Sequence, residues 1–113
     1  MVQFLVRLIV PKDGVHEQVQ AFRTVLWGAQ QARGCRFAQI CFPADDDGQL
    51  EYVEEWDDEA ELRKQFGSER FVHLLALLEL AAKPPIIEFR VFSATYGLEF
   101  VTGERAALAL KTQ

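Results

Sequence analysis

The chain contains no asparagine and has only two histidines and two cysteines among its 113 residues. So few soft ligands, with no close spacing between them, are a poor basis for a zinc site, and neither a metal nor a cofactor is expected. Cys35 and Cys41 fall in one expected strand, about 20 Å apart at roughly 3.3 Å per residue. That is too far for a disulfide, whose Cα atoms lie within about 7 Å. Two reduced thiols suit a cytoplasmic protein. Basic residues are in deficit, with 12 Lys and Arg against 17 Asp and Glu and a net charge of −5. Such a chain repels phosphate backbones and anionic lipid, so neither nucleic acid nor a membrane is an expected partner. Long apolar runs are missing too. FVHLLALLELAA is interrupted by His73 and Glu79 and falls short of the roughly 20 residues that span a bilayer. MVQFLVRLIVP has no basic leader and carries Arg7 in mid-run, so it reads as a first strand and not a signal peptide. GxGxxG, P-loop and GxSxG motifs are all absent, and with them the usual nucleotide sites and activated serines.

What is present is periodicity. Residues 2–10 alternate, with Phe4, Val6, Leu8 and Val10 on one face and Gln3, Leu5, Arg7 and Ile9 on the other. Val15, Val19, Phe22, Leu26 and Ala29 recur at helical spacing as far as about Arg33, and Gly34 supplies a stop. CRFAQICFP reads as a strand, ADDDGQ as a tight polar turn and LEYVEEW as the hairpin partner. Asp57 or Asp58 can cap the next helix, and Asp58 with Glu61 has capping-box spacing. A break near Gly67–Ser68 and a second helix through Ala82 follow, with its main stripe on Phe71, Leu74, Leu75 and Leu78. Pro84–Pro85 end it, and IIEFRVFSATYGLEFV reads as a long last strand with a bulge at Gly97. The tail GERAALALKTQ is expected as a short helix or an arm.

This order predicts an α+β, ferredoxin-like βαββαβ antiparallel sheet with both helical segments on one face. The uncovered face mixes Leu5, Ile9, Val53, Ile86 and Phe92, or their alternates, with Arg7, Glu55, Glu88 and Arg90. Large apolar groups among charges of both signs suit a packed interface better than solvent, which predicts a homodimer, sheet against sheet.

EYVEEWDDEAE, residues 51–61, holds seven carboxylates around one tyrosine and one tryptophan. Alternation sends Glu51 and Glu55 to the uncovered face with Val53. Asp57, Asp58, Glu59 and Glu61 lie where a helix N-terminus favours negative charge. Glu54 is left over, on the helix-covered face with Leu50, Tyr52 and Trp56. A carboxylate there is desolvated unless an arginine or amide meets it, which makes Glu54 the candidate acid or base. His73, beside the apolar stripe of the second helix, is either a core or interface histidine or a pocket base. Arg7 and Arg90 can hold an anion or pair with Glu55 and Glu88. Tyr52, Trp56 and Phe71 are core aromatics whose flat faces also suit a planar ligand.

Gly34–Cys35, the strand end E-x-W at Glu54–Trp56 followed by DDEAEL, S-x-x-F at Ser68–Phe71 and a closing YGLEFV resemble, in that order, the antibiotic-biosynthesis-monooxygenase domain family of dimeric α+β barrels. The resemblance covers residues 2–101, and the domain is expected over 1–102 with a C-terminal tail at 103–113. It implies a homodimer with a pocket between sheet and helices in each copy. It also implies oxidation of a quinol or phenolic molecule by O₂ without metal or flavin. On that basis Glu54 or His73 is the expected proton acceptor, with Tyr52, Trp56, Gln65, Phe71 and Arg90 around the substrate. Many relatives have a histidine at the place of Gln65 and often another at that of Arg70, so the usual acceptor is absent or moved. Without asparagine, the Asn/Trp/His set of the haem-degrading members is not present as such. The alternative is a non-catalytic barrel that binds a small aromatic or hydrophobic molecule or serves as an assembly domain.

Overall fold

The computed structural model describes residues 1–44 and 48–111. The expected ADDDGQ turn lies in part outside them. The element order is β1 (Val2–Ile9), α1 (Val15–Gln31), β2 (Cys35–Cys41), β3 (Gln49–Trp56), α2 (Glu59–Gln65), α3 (Glu69–Glu79), β4 (Ile86–Val91) and α4 (Leu98–Lys111). The strands form one sheet in the order β2-β3-β1-β4, with antiparallel pairing throughout. This is the expected ferredoxin-like α+β arrangement, to which α4 is added.

The alternation of β1 and β3 decides the two faces. Val2, Phe4, Val6 and Leu8 are buried beneath the helices together with Leu50, Tyr52, Glu54 and Trp56 of β3. Val19, Phe22, Val25 and Ala29 of α1 and Phe71, Leu74 and Leu78 of α3 close over them. Each large apolar side chain buried in this way contributes about 1.5–3 kcal/mol. Leu75, expected in the α3 stripe, is exposed, whereas Leu77 packs against the core. The inward arc is centred on 71, 74 and 78, and position 75 falls outside it.

The helix starts follow local chemistry. The Asp58 side chain accepts from the Glu61 N–H at 2.9 Å, and Ser68 Oγ accepts from the Phe71 N–H at 3.2 Å. The reciprocal half of the expected capping box is not made, because the Glu61 carboxylate pairs with Lys64 Nζ at 3.2 Å. Gly34 follows α1 at φ 88, in the left-handed region that favours glycine. A Cβ there would also lie 2.8 Å from the Glu61 side chain.

Two expectations are corrected. The last strand is not continuous to Val101. It stops at Val91, and YGLEFV contributes to α4 instead of forming a bulged strand. Glu104, Arg105, Ala106, Ala107, Leu108, Ala109, Leu110 and Lys111 are strong helix formers, and the helix they build extends back to Leu98. The Glu99 carboxylate accepts from the Gly97 N–H at 2.9 Å and holds the entry turn. The expected boundary at 102 therefore falls within one helix. The second correction concerns Leu5 and Val53, which are buried although they face away from the helices. The strand register surrounds Leu5 with Gln3–Glu55, Arg7–Glu51 and Glu88–Arg90, three pairs whose aliphatic stems can cover it.

Candidate functional site

The geometry separates two features that the sequence reading had merged: a sealed polar cluster around Glu54, and an open apolar cleft beside it.

Glu54 is fully buried in β3, opposite Phe4 on one side and Ala38 on the other. Its Oε1 accepts from Trp56 Nε1 at 3.0 Å, and its Oε2 accepts from the Tyr52 hydroxyl and, at 2.7 Å, from Arg70 Nη1. Arg70 Nη2 donates in turn to Gln65 Oε1 at 3.1 Å. Period-two alternation puts residues 52, 54 and 56 on one face, so the two aromatic donors flank the carboxylate within a single strand. Burial, and then the adjacent Glu54 carboxylate, push the Tyr52 hydroxyl well above the ordinary tyrosine range. Burial likewise raises the Cys35 thiol. Cys35 and Cys41 are both free thiols.

Arg70 reaches this carboxylate past α1 at Gly28. A Cβ at position 28 would stand 2.7 Å from Arg70 Cδ. Replacing an interior helical glycine by alanine normally stabilises by about 1 kcal/mol. Gly28→Ala is expected to show no such gain and to be net destabilising, because Arg70 is held at its far end and overpacking costs about 1–3 kcal/mol. Urea unfolding of the variant checks this.

The cleft lies between α2 and the β4 edge. It has a volume of about 340 Å³ and is lined by Val2, Leu62, Phe66, Phe89, Val91, Glu59 and Arg63. Its wall belongs to an aromatic cluster in which Phe4 stacks on Phe89 at 4.9 Å, and Phe66 meets Phe71 at 5.0 Å and Phe89 at 6.0 Å. The polar side chains of its lining are Glu59 and Arg63, an i,i+4 pair at 3.4 Å with both groups more than half exposed. A concave apolar surface with a few charged groups at one end is the usual form of a small-molecule site, and this volume is at the small end of that class.

The expected site residues are therefore divided. Glu54, Tyr52 and Trp56 come together, but all three are sealed from solvent. Gln65 joins them through Arg70, and Phe71 stands behind Phe66 as the second layer of the cleft wall. Arg90 is on the opposite face of the sheet, paired with Glu88 at 2.7 Å, because alternation turns Phe89 and Val91 toward the cleft and Arg90 away. His73 is exposed in a groove between α1 and α3, on the outer side of the helical layer. Sequence reasoning missed Arg70 as the partner of Glu54. The available signal was the need of a buried carboxylate for a cation, combined with a glycine on the facing helix. It also missed Phe66 and Phe89, whose meeting depends on the α2–β4 packing. Among the described residues no group of three or more His, Cys, Asp or Glu side chains is placed to hold a metal ion, and no helix is long and apolar enough to cross a membrane.

No family model matches the chain, and no curated protein matches it in sequence. Solved structures do match. One is a crystal structure of an antibiotic biosynthesis monooxygenase, with TM-score 0.72 and 15% identity over 83% of this chain and 100% of that one. Rv0793 from Mycobacterium tuberculosis matches with TM-score 0.74 and 18% identity, over 85% of this chain and 98% of its own. SnoaB from Streptomyces nogalater, a cofactor-independent oxygenase, matches with TM-score 0.69 and 19% identity, over 83% of this chain and 94% of its own. At such identities the likeness is one of backbone architecture, and the fold of this chain is that of the structures named as antibiotic biosynthesis monooxygenases.

Proposed function

We propose that the chain is a cofactor-independent monooxygenase of a small quinol or phenolic molecule, working as a cytoplasmic homodimer with the open sheet faces pressed together. The observation that carries this reading is the aromatic-walled cleft with a carboxylate and a guanidinium in its lining. The fold shared with a cofactor-independent oxygenase supports it. In such chemistry the substrate supplies the electrons. A phenol loses its proton, the electron-rich carbanion form of the phenolate combines with O₂, and the resulting hydroperoxide expels water to leave a carbonyl. Counted in the keto tautomer of the phenol, one ring CH₂ and O₂ thus become C=O and H₂O. The protein's part is a dry wall, a proton acceptor and a cation for the anion.

The wall is Phe66, Phe89, Leu62, Val2 and Val91. Glu59 is the carboxylate within reach of a bound molecule, and Arg63 is the cation. Glu54 already accepts three hydrogen bonds and is sealed behind Phe4, so its place in this reading is to hold the wall and not to take the proton. His73, outside the cleft, has no part in it.

Oxygen uptake with one-, two- and three-ring hydroquinones tests the reading. Glu59→Gln is expected to lower turnover by about 100-fold, the lower end of general-base contributions. Phe89→Arg is expected to remove saturable binding. Uptake that neither substitution changes overturns the assignment. A second reading, a binding module without chemistry, is favoured by the open pairing of Glu59 with Arg63. Ring binding that depends on Phe89 without any oxygen uptake would select it.

A further inference from the structure

One wall of the cleft is built on a helix too short to stand by itself. α2 has seven residues, of which Leu62 alone is buried, and an isolated helix of that length does not persist in water. Glu59, Leu62, Arg63 and Phe66, three and four residues apart, put one face of α2 and the residue that follows it on the cleft. The opposite wall is Phe89 and Val91 of β4. Phe66 meets Phe89 at 6.0 Å, and both side chains are roughly half exposed. Burial therefore does not fix the width of the opening between them.

Glu61 and Gln65, four residues apart, share a second face of α2, and this one is turned to the body. Glu61 lies against Gly34, where an added Cβ would come within 2.8 Å of it, and the Asp57 N–H donates to the Gly34 carbonyl at 2.9 Å. These contacts hold the end of α2 remote from Phe66. The near end is held at Gln65. Its carbonyl accepts from the Ser68 N–H at 3.0 Å and from Ser68 Oγ at 2.7 Å, and its Oε1 accepts from Arg70 Nη2 at 3.1 Å. The ion pairs of α2, Glu59 with Arg63 and Glu61 with Lys64, both stay within the helix. Among the described residues, Gln65 is the one α2 side chain hydrogen-bonded outside it.

Arg70 is not free to follow a moving partner. Its Nη1 is held by Glu54 Oε2 at 2.7 Å, and its Cδ is packed at Gly28. One guanidinium fork thus carries the buried carboxylate on one nitrogen and the cleft helix on the other. Glu54 itself sits in an interior strand of the sheet, so the tether from Gln65 ends on a fixed point.

We infer that Gln65 is a positioning residue that sets the ring size the cleft admits: through Arg70 and Glu54 it holds Phe66 at a fixed separation from Phe89. Gln65 lies outside the lining and does not touch the ligand in this role. Without its amide oxygen, α2 swings about Leu62 and the Gly34 contact, the gap between Phe66 and Phe89 widens, and broader ring systems enter. The inference rests on the cleft as the ligand site, proposed above, and adds what determines its width.

The test uses the full chain as wild type, Gln65→Leu and Gln65→Glu, with Val25→Ala in α1 as a control loosened elsewhere in the core. Equilibrium dialysis under nitrogen gives the affinities for naphthol and phenanthrol, and amide hydrogen exchange follows residues 62–66. In the wild type phenanthrol is expected to bind about tenfold more weakly than naphthol, although it is the more apolar of the two. Gln65→Leu is expected to erase that difference. It is also expected to speed exchange at 62–66 by about tenfold, the effect of one lost hydrogen bond to a charged group, with α1 unchanged. Gln65→Glu keeps an acceptor for Arg70 and is expected to restore both properties. Discrimination that survives in Gln65→Leu overturns the inference, and so does its equal loss in Val25→Ala, which makes general looseness the cause. A Gln65→Glu that behaves as Gln65→Leu overturns it as well, because the hydrogen bond is then not what matters. Equal wild-type affinity for the two rings leaves the cleft standing and overturns ring selection alone. A wild type that binds neither overturns the cleft reading and ring selection together, and unchanged exchange in Gln65→Leu then removes the tether too.

Discussion

Arg70→Met is expected to destabilise the protein by about 3–5 kcal/mol, the usual cost of leaving one member of a buried ion pair uncompensated. Arg70 meets Glu54 at 2.7 Å with their side chains only 12% and 0% exposed, so neither water nor salt screens the pair appreciably. Combining Arg70→Met with Glu54→Gln is expected to recover part of the loss. The amide removes the buried charge, and its oxygen can still accept from Trp56 or Tyr52. The two substitutions therefore couple, and urea unfolding of the two singles and the double measures the coupling. Simple additivity would show that Arg70 supports the fold by its bulk alone.

The second large effect is alkaline. The Tyr52 hydroxyl is raised above 10.0 by burial and then by Glu54, so the folded protein keeps a proton that the unfolded chain releases near pH 10. The folded state then binds more protons than the unfolded state. The stabilising contribution is complete below pH about 10 and falls above it by about 1.4 kcal/mol per pH unit. Cys35, raised above 9.0 mainly by burial, adds to the slope from about one unit lower. Tyr52→Phe is expected to flatten the alkaline limb, at the cost of one hydrogen bond to a charged group, about 1.5–3 kcal/mol at neutral pH. Urea unfolding from pH 8 to 11 checks both parts. An unchanged slope in Tyr52→Phe would mean that Tyr52 is not the group holding the proton.

The alternation that put Glu54 inside and Glu55 outside is local, because a strand has period two whatever it pairs with. The Asp58 and Ser68 caps are local in the same sense, each closed by an N–H three residues on. Gly34 is legible for a similar reason, since a left-handed turn restricts residue choice directly. The Arg70–Glu54 pair spans 16 residues and passes a glycine on a third element. No spacing rule contains that information. The same holds for the cleft, whose lining comes from β1, α2 and β4. From the sequence Tyr52 and Trp56 read most simply as core, and a ligand wall was the other role open to them. It is the closing of α1 and α3 that buries both of them.

The linear order of residues was thus sufficient for the βαββαβ order, the two faces of β1 and β3, the helix starts and the isolation of Glu54 among its neighbouring carboxylates, because dihedral preference and side-chain period act over a few residues. Packing in three dimensions decided which cation answers Glu54, which aromatic groups border open space and that residues 98–111 project as a helix. Those outcomes depend on distances between segments far apart in the chain, set by how the whole core closes.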